Sequence, residues 1–136
     1  MVKLSRELAN EFLDEKSIYT KIFTSIDRCE PLYWGGEIKY EEVSKYLLFF
    51  DNLGLYAKQG VIDYNTIDQI FGAHIIEAHQ KGEIRKYIYD SRKNNEQNQA
   101  FDDFEELAEK LEKIPERKAM VDKLKASACF AFKGDN

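Results

Sequence analysis

Apolar side chains recur every three or four positions along almost the whole chain, and little interrupts them. Leu4, Leu8, Phe12, Tyr19, Ile22, Phe23 and Ile26 fall on one helical face. So do Tyr40, Val43, Leu47, Phe50 and Ala57, then Ile67, Ile70, Phe71, His74, Ile75 and Ala78. A period near 3.6 is that of a helix burying one side, and no alternating stretch demands a strand. With only 7 glycines and 2 prolines in 136 residues, the breakers are few enough to sit at the ends of long segments. The expectation is an all-α bundle of five to six mostly antiparallel helices in a single domain over residues 1–136.

The punctuation places the elements. A first helix runs to about Asp27, with the polar stretch Asp14 to Ser17 marking a bend. Pro31, Gly35 and Gly36 then define a loop that carries Tyr33 and Trp34. A second helix spans Glu37 to Lys58 and ends where Gly60 takes a left-handed conformation, with Val61 folding back. Asp63 or Asn65 caps a third helix that stops at Lys81-Gly82. The short connection makes the second and third helices the expected central pair. A fourth helix covers Glu83 to about Lys93, and the amide-rich run Asn94 to Gln99 reads as a surface loop. A fifth carries Phe101, Phe104, Leu107, Ala108, Leu111 and Ile114 up to Pro115, and a last one runs from Glu116 to about Ala128.

Gly54 and Gly72 lie inside apolar helical segments, where glycine costs about 1 kcal/mol relative to alanine. Close backbone approach between the second and third helices would offset that cost, and a kink opening a small cavity is the competing explanation.

Charge and motifs exclude several functions. The net charge is −5 and the pI about 5.1, without the basic stripe of a nucleic-acid domain. Residues 85–93 are locally basic, with Arg85, Lys86 and Arg92 beside Tyr87 and Tyr89, so weak nucleic-acid contact there is an alternative. There is no phosphate-binding glycine loop, dinucleotide fingerprint or nucleophile elbow. His74 and His79 are five apart, roughly 140° around a helix, and do not chelate one metal. The carboxylate pairs Glu41-Glu42, Asp102-Asp103 and Glu105-Glu106 diverge on their helices instead of converging on a cleft. No catalytic residue, cofactor or metal is expected. Cys29 and Cys129, a hundred positions apart, form no metal or CxxC motif. A bridge between them needs the first and last helices to meet, so free thiols in the cytoplasm are the expectation. The longest apolar runs are short, as in Leu47 to Phe50, far below the roughly twenty residues a spanning helix needs, and no membrane span is expected.

The run Tyr46-Leu47-Leu48-Phe49-Phe50-Asp51-Asn52-Leu53-Gly54-Leu55, followed by Gly60-Val61-Ile62-Asp63 and by Phe71-Gly72 with Ile75-Ile76, resembles an uncharacterised family of small helical bacterial proteins. Phe101-x-x-Phe104-Glu105-x-Leu107 fits it loosely. Members often carry an N-terminal membrane helix, which this sequence lacks. The resemblance implies an all-helical domain of unknown biochemical role and supplies no catalytic residue.

Two functional classes follow. The first is a non-enzymatic interaction or regulatory module acting through apolar helix surfaces, with a protein partner or a second copy in a homodimer. Tyr33 and Trp34 are its candidate anchors. The second is a small-molecule sensor whose pocket between helices is lined by Tyr46, Phe50, Phe71 and His74.

Overall fold

The structure is a computed structural model that describes residues 2–93 and 99–132. Seven helices occupy these residues, with no strand among them: α1 (Val2–Leu13), α2 (Ile18–Asp27), α3 (Tyr40–Lys58), α4 (Tyr64–Gln80), α5 (Gly82–Lys93), α6 (Asp102–Glu112) and α7 (Lys118–Ala126). A 3₁₀ turn, Pro115–Arg117, leads into α7. The all-α class holds, and the count exceeds five to six because the first helix is two. Most of the expected loop at 94–99 lies outside the described residues.

The polar run at 14–17 makes a full corner and not a bend. Asp14 accepts the Lys16 N–H at 2.9 Å, and Ser17 Oγ caps α2 by accepting the Thr20 N–H at 3.1 Å. Thr20 Oγ1 donates back to the Asp14 carbonyl at 2.8 Å. These short side chains satisfy the backbone groups that two adjoining helix ends expose. The second helix begins at Tyr40, three residues later than expected, because Glu42 accepts the Lys39 N–H at 2.8 Å and closes a capping box. Its end is as read: Gly60 has φ +72°, and the Gly60 and Val61 amides donate to Ala57 and Tyr56 at 3.1 and 2.9 Å. Asp63 caps α4 by accepting the Thr66 N–H at 2.7 Å.

The expected central pair is corrected. The most extensive packing joins α3 to α6, followed by α4 to α6, while α3 and α4 meet only sparsely. Apolar α6 positions Phe104, Leu107, Ala108 and Leu111 are all buried. Asp51 on α3 accepts the Phe104 N–H at 2.8 Å and so caps α6 from a neighbouring helix. One turn on, Gly54 lets the α6 backbone come close. A Cβ there would collide with the Asp103 carbonyl oxygen and lie 2.9 Å from its carbon. The close approach foreseen at Gly54 is therefore made to α6 and not to the third helix of the sequence reading. Gly54→Ala is expected to cost about 1–3 kcal/mol, because helix backbone and not a mobile side chain must yield. A chemical-denaturation midpoint measures it, and an unchanged midpoint refutes the close-approach account.

Gly72 serves a different contact. Arg117 Nε and Nη2 each donate to Asp68 at 2.9 Å, to the carboxylate and the carbonyl respectively, and the guanidinium lies across Gly72. A side-chain clamp, not a kink or a helix–helix backbone contact, uses the missing Cβ.

The core is one aromatic-rich cluster. Its centre is Phe12, with no exposed surface, whose ring lies 5.2–5.9 Å from those of Tyr46, Phe49, Phe50, Phe71 and His74. The broad apolar face of α3 is thus largely absorbed inside the bundle. Leu48 and Leu55 remain exposed on its outer side.

Candidate functional site

The loop between α2 and α3 crosses the end of the bundle and meets the start of α5. Leu32 is fully buried and plugs that end. Its neighbours are fixed by one carboxylate. Glu83, itself buried, accepts the Leu32 N–H at 2.9 Å and the Trp34 N–H at 2.7 Å. Tyr33 Oη donates to the Glu83 carbonyl at 3.2 Å, and its ring stands edge-on to Tyr40 and Tyr87. Burial, then the nearby Glu83 charge, pushes the Tyr33 phenol well above its ordinary range. Paired backbone donors are how a buried carboxylate is stabilised, so the loop is rigid at Leu32 to Trp34.

Residues 127–132 lie over the same end as a strap. Gly82 donates its N–H to the Phe130 carbonyl at 2.6 Å. A Cβ on Gly82 would stand 2.8 Å from that oxygen, so no larger residue lets the strap seat as it does. Lys81 is buried; its ammonium donates to the Cys129 carbonyl at 3.1 Å and lies 5.4 Å from the Phe130 ring centre. Lys81-Gly82 is thus the expected stop of α4, and also the junction with α5 and the seat of the strap. Burial lowers the Lys81 pKa, and Glu83 opposes that.

Cys29 and Cys129 are bonded, with Cα atoms 5.5 Å apart, which corrects the expectation of free thiols. The first and last helices need not meet. Both cysteines lie beyond helix ends, Cys29 just past α2 and Cys129 in the strap. Cys29 occupies the left-handed position that closes α2, with φ +60°: its own N–H and that of Glu30 donate to Ile26 and Ser25 at 3.1 and 2.9 Å. Gly60 holds the same place after α3. An L side chain there costs about 1–2 kcal/mol.

Between loop and strap lies a cavity of about 280 Å³, with Cys29, Cys129, Trp34, Lys81, Glu83 and Phe132 in its wall. Trp34 is 52 % exposed at the rim, and Phe132 stands edge-on to it at 5.6 Å. Trp34 does not plug the bundle; Leu32 does.

The other sequence candidates do come together. Tyr46, Phe50, Phe71 and His74 surround one space, but Phe12 fills it. Two buried polar atoms beside it lack hydrogen-bond partners, Tyr46 Oη and His74 Nδ1; Glu77 Oε1 stands 3.9 Å from the latter. Burial, with a hydrogen bond to Asp27, raises the Glu77 carboxyl to about 8. Burial lowers His74, which Asp27 partly offsets, and raises Tyr46 further above its ordinary range. Glu77 thus holds its proton longer folded than unfolded. Its share of stability is present below pH 4.5 and is lost as pH rises to about 8. His74 acts oppositely, losing stability as pH falls below 6.5. Between pH 6.5 and 8, urea midpoints are expected to fall with pH, and Glu77→Gln to flatten that slope. An equal slope in the variant would assign the effect elsewhere.

The basic segment 85–93 is engaged with its own chain. Arg92 pairs with Asp102 and Glu105, Lys86 with Asp90 at 3.3 Å, and Arg85 donates to the His79 carbonyl and to Gln80. Tyr87 is buried and Tyr89 exposed, so the two face apart. His79 meets Glu112 at 2.8 Å on a different side from His74. Among the described residues, no group of three or more His, Cys, Asp or Glu is placed to hold a metal ion, and no helix is long and apolar enough to cross a membrane.

Sequence reasoning missed Lys81, Glu83 and Phe132. The charged pair flanking Gly82, and an apolar Phe130-Ala131-Phe132 after a weak last helix, are the signals that point to them.

The architecture is that of an all-helical bundle with a strapped aromatic end. Residues 4–111 match the family described as domain of unknown function DUF4760, and the chain belongs to it. The strap and Cys129 lie beyond the matched span. No curated protein and no solved structure matches the chain.

Proposed function

We propose that the chain is a non-enzymatic interaction module that binds a protein partner through its strapped end, with Trp34 as the anchor. The observation that carries this is a half-exposed tryptophan on a loop whose backbone the buried Glu83 carboxylate immobilises. A large aromatic surface held in place before binding loses little entropy on contact, which is how interface anchors deliver affinity. The apolar face of α3 supports an interaction surface less, since most of it is taken up by Phe12 and α6. The small-molecule reading draws less support, because Phe12 occupies the expected pocket. Weak nucleic-acid contact also draws less, because Arg85, Lys86 and Arg92 already meet acceptors of their own chain. The carboxylate pairs support a structural role too: Asp103 and Glu106 meet Lys58, and Glu105 meets Arg92.

The cytoplasmic expectation rests on the small number of cysteines, and the Cys29–Cys129 bond weakens that ground. A bridge of this kind persists in an oxidising compartment or forms reversibly as a sensor in a reducing one.

The test is capture of a partner by the immobilised full chain and by Trp34→Ala, with light scattering to show whether the partner is a second copy. The variant is expected to bind about 30-fold more weakly or worse, with an unchanged circular-dichroism spectrum and melting temperature. Equal binding by both proteins overturns the reading.

A further inference from the structure

We propose that Cys29–Cys129 is a reversible thiol–disulfide site, reduced by a dithiol, whose state decides whether the strap at 127–132 stays seated over the Trp34 cleft. The consequence for partner binding rests on the function proposed above; the redox chemistry and the strap's release do not.

Three observations lead to it. Both cysteines line the same open cavity, and Cys29 is exposed, so a small or protein dithiol can reach the bond. A buried ammonium, that of Lys81, is held at the backbone of Cys129 itself, 3.1 Å from its carbonyl oxygen. Cys29 is the more exposed sulfur and the one a dithiol reaches, so Cys129 is the sulfur that leaves, with the Lys81 cation beside its backbone. Among the described residues, the other contacts that seat the strap are chiefly the Gly82 to Phe130 hydrogen bond at 2.6 Å, the Lys81 contacts, burial of Phe130, and the Phe132 edge on Trp34. Segments with so few buried contacts open locally at low cost once a covalent tie is removed.

The chemistry balances without a further reactant. A thiolate of the dithiol attacks Sγ of Cys29; the Cys29–Cys129 bond breaks, and Cys129 leaves with the electron pair as a thiolate. The second thiol of the reductant loses its proton and attacks the reductant sulfur of the mixed disulfide, which frees Cys29. Two electrons pass from the dithiol to the bridge, the dithiol becomes a cyclic or paired disulfide, and the two protons it gives up are available to the cysteines. Oxidation by a disulfide of the same class reverses each step.

Native full-length protein, oxidised or treated with excess dithiothreitol, is compared by alkylation mass spectrometry, amide hydrogen exchange and the emission of Trp34, the single tryptophan. Reduction is expected to yield two alkylated cysteines without unfolding. Exchange at Gly82 and 127–132 is expected to quicken about tenfold more than in α3 and α6, whose exchange rises only with the loss of global stability, and the Trp34 emission to shift. Cys129→Ser is expected to show the fast exchange already and to ignore dithiothreitol. The proposal is overturned if the native bridge resists reduction, if it opens only with global unfolding, or if exchange at Gly82 and the strap is the same in both states. A partner that binds Trp34 equally in both states overturns only the regulatory consequence. Loss of the Trp34→Ala effect would instead sink the proposed function and leave the redox result standing.

Discussion

Phe12→Ala is expected to destabilise the protein by about 3–5 kcal/mol, the upper part of the range for core truncations. Phe12 has no exposed surface and is the ring on which three other helices converge: Phe23 on α2, Tyr46, Phe49 and Phe50 on α3, and Phe71 and His74 on α4. Its neighbours cannot close the gap easily. Tyr46 and Phe50 are themselves fully buried, and Phe71 nearly so, each in further ring contacts. The Tyr46 hydroxyl and His74 Nδ1 already lack hydrogen-bond partners, so water drawn into the cavity would find polar groups on one side only. The melting temperature is expected to fall by roughly 10–20 °C. The same truncation would expose the walls of the pocket inferred from the sequence. A small aromatic such as indole is therefore expected to raise the variant's melting temperature and leave the parent's unchanged. A drop of less than about 1 kcal/mol would mean that α1 does not anchor the core as drawn.

Cys129→Ser is the second large effect. The bridge spans 100 residues, and closing so long a loop removes about 4–5 kcal/mol of unfolded-chain entropy in the simplest treatment, with about 2–4 kcal/mol commonly realised. Losing it is expected to lower the denaturation midpoint accordingly, and dithiothreitol to do the same to the parent. Cys29→Gly breaks the same bond and yet is expected to cost about 1 kcal/mol less, because glycine accepts the left-handed conformation at the end of α2 without steric penalty. Comparing the two single variants in one denaturant series separates the cross-link from the local backbone cost. Equal losses would show that the position after α2 relaxes once the bond is gone.

The helices were legible because they are local. A 3.6-residue apolar period, a carboxylate at Asp63 and a glycine at Gly60 act over fewer than five positions, and their effects appear in the structure as read. The corner at 14–17 was seen but underestimated, since Ser17 and Thr20 must cooperate across it to finish one helix and start the next. Cys29 shows where local reasoning fails. It closes a helix where glycine is the ordinary residue, and nothing nearby in the chain says that a cysteine stands there to reach position 129.

Periodicity tells which side of a helix is buried but not what buries it. Nothing in the spacing around Gly54 distinguishes α4 from α6 as the close neighbour; the backbone of Asp103 settled that. Tyr46, Phe50, Phe71 and His74 read as the lining of a pocket, while the ring that lies among them sits more than thirty positions earlier than Tyr46, on α1. Lys81 and Glu83 mark a helix boundary in the sequence; their burial arises only when the loop after α2 and the strap after α7 close over them. Secondary structure and the inward faces thus belong to the amino-acid order alone, because they follow from interactions within a turn or two of backbone. The packing partners, the cross-link and the aromatic end of the bundle arise only when segments distant in the chain are brought together, where desolvation and close contact act between residues that the order never sets side by side.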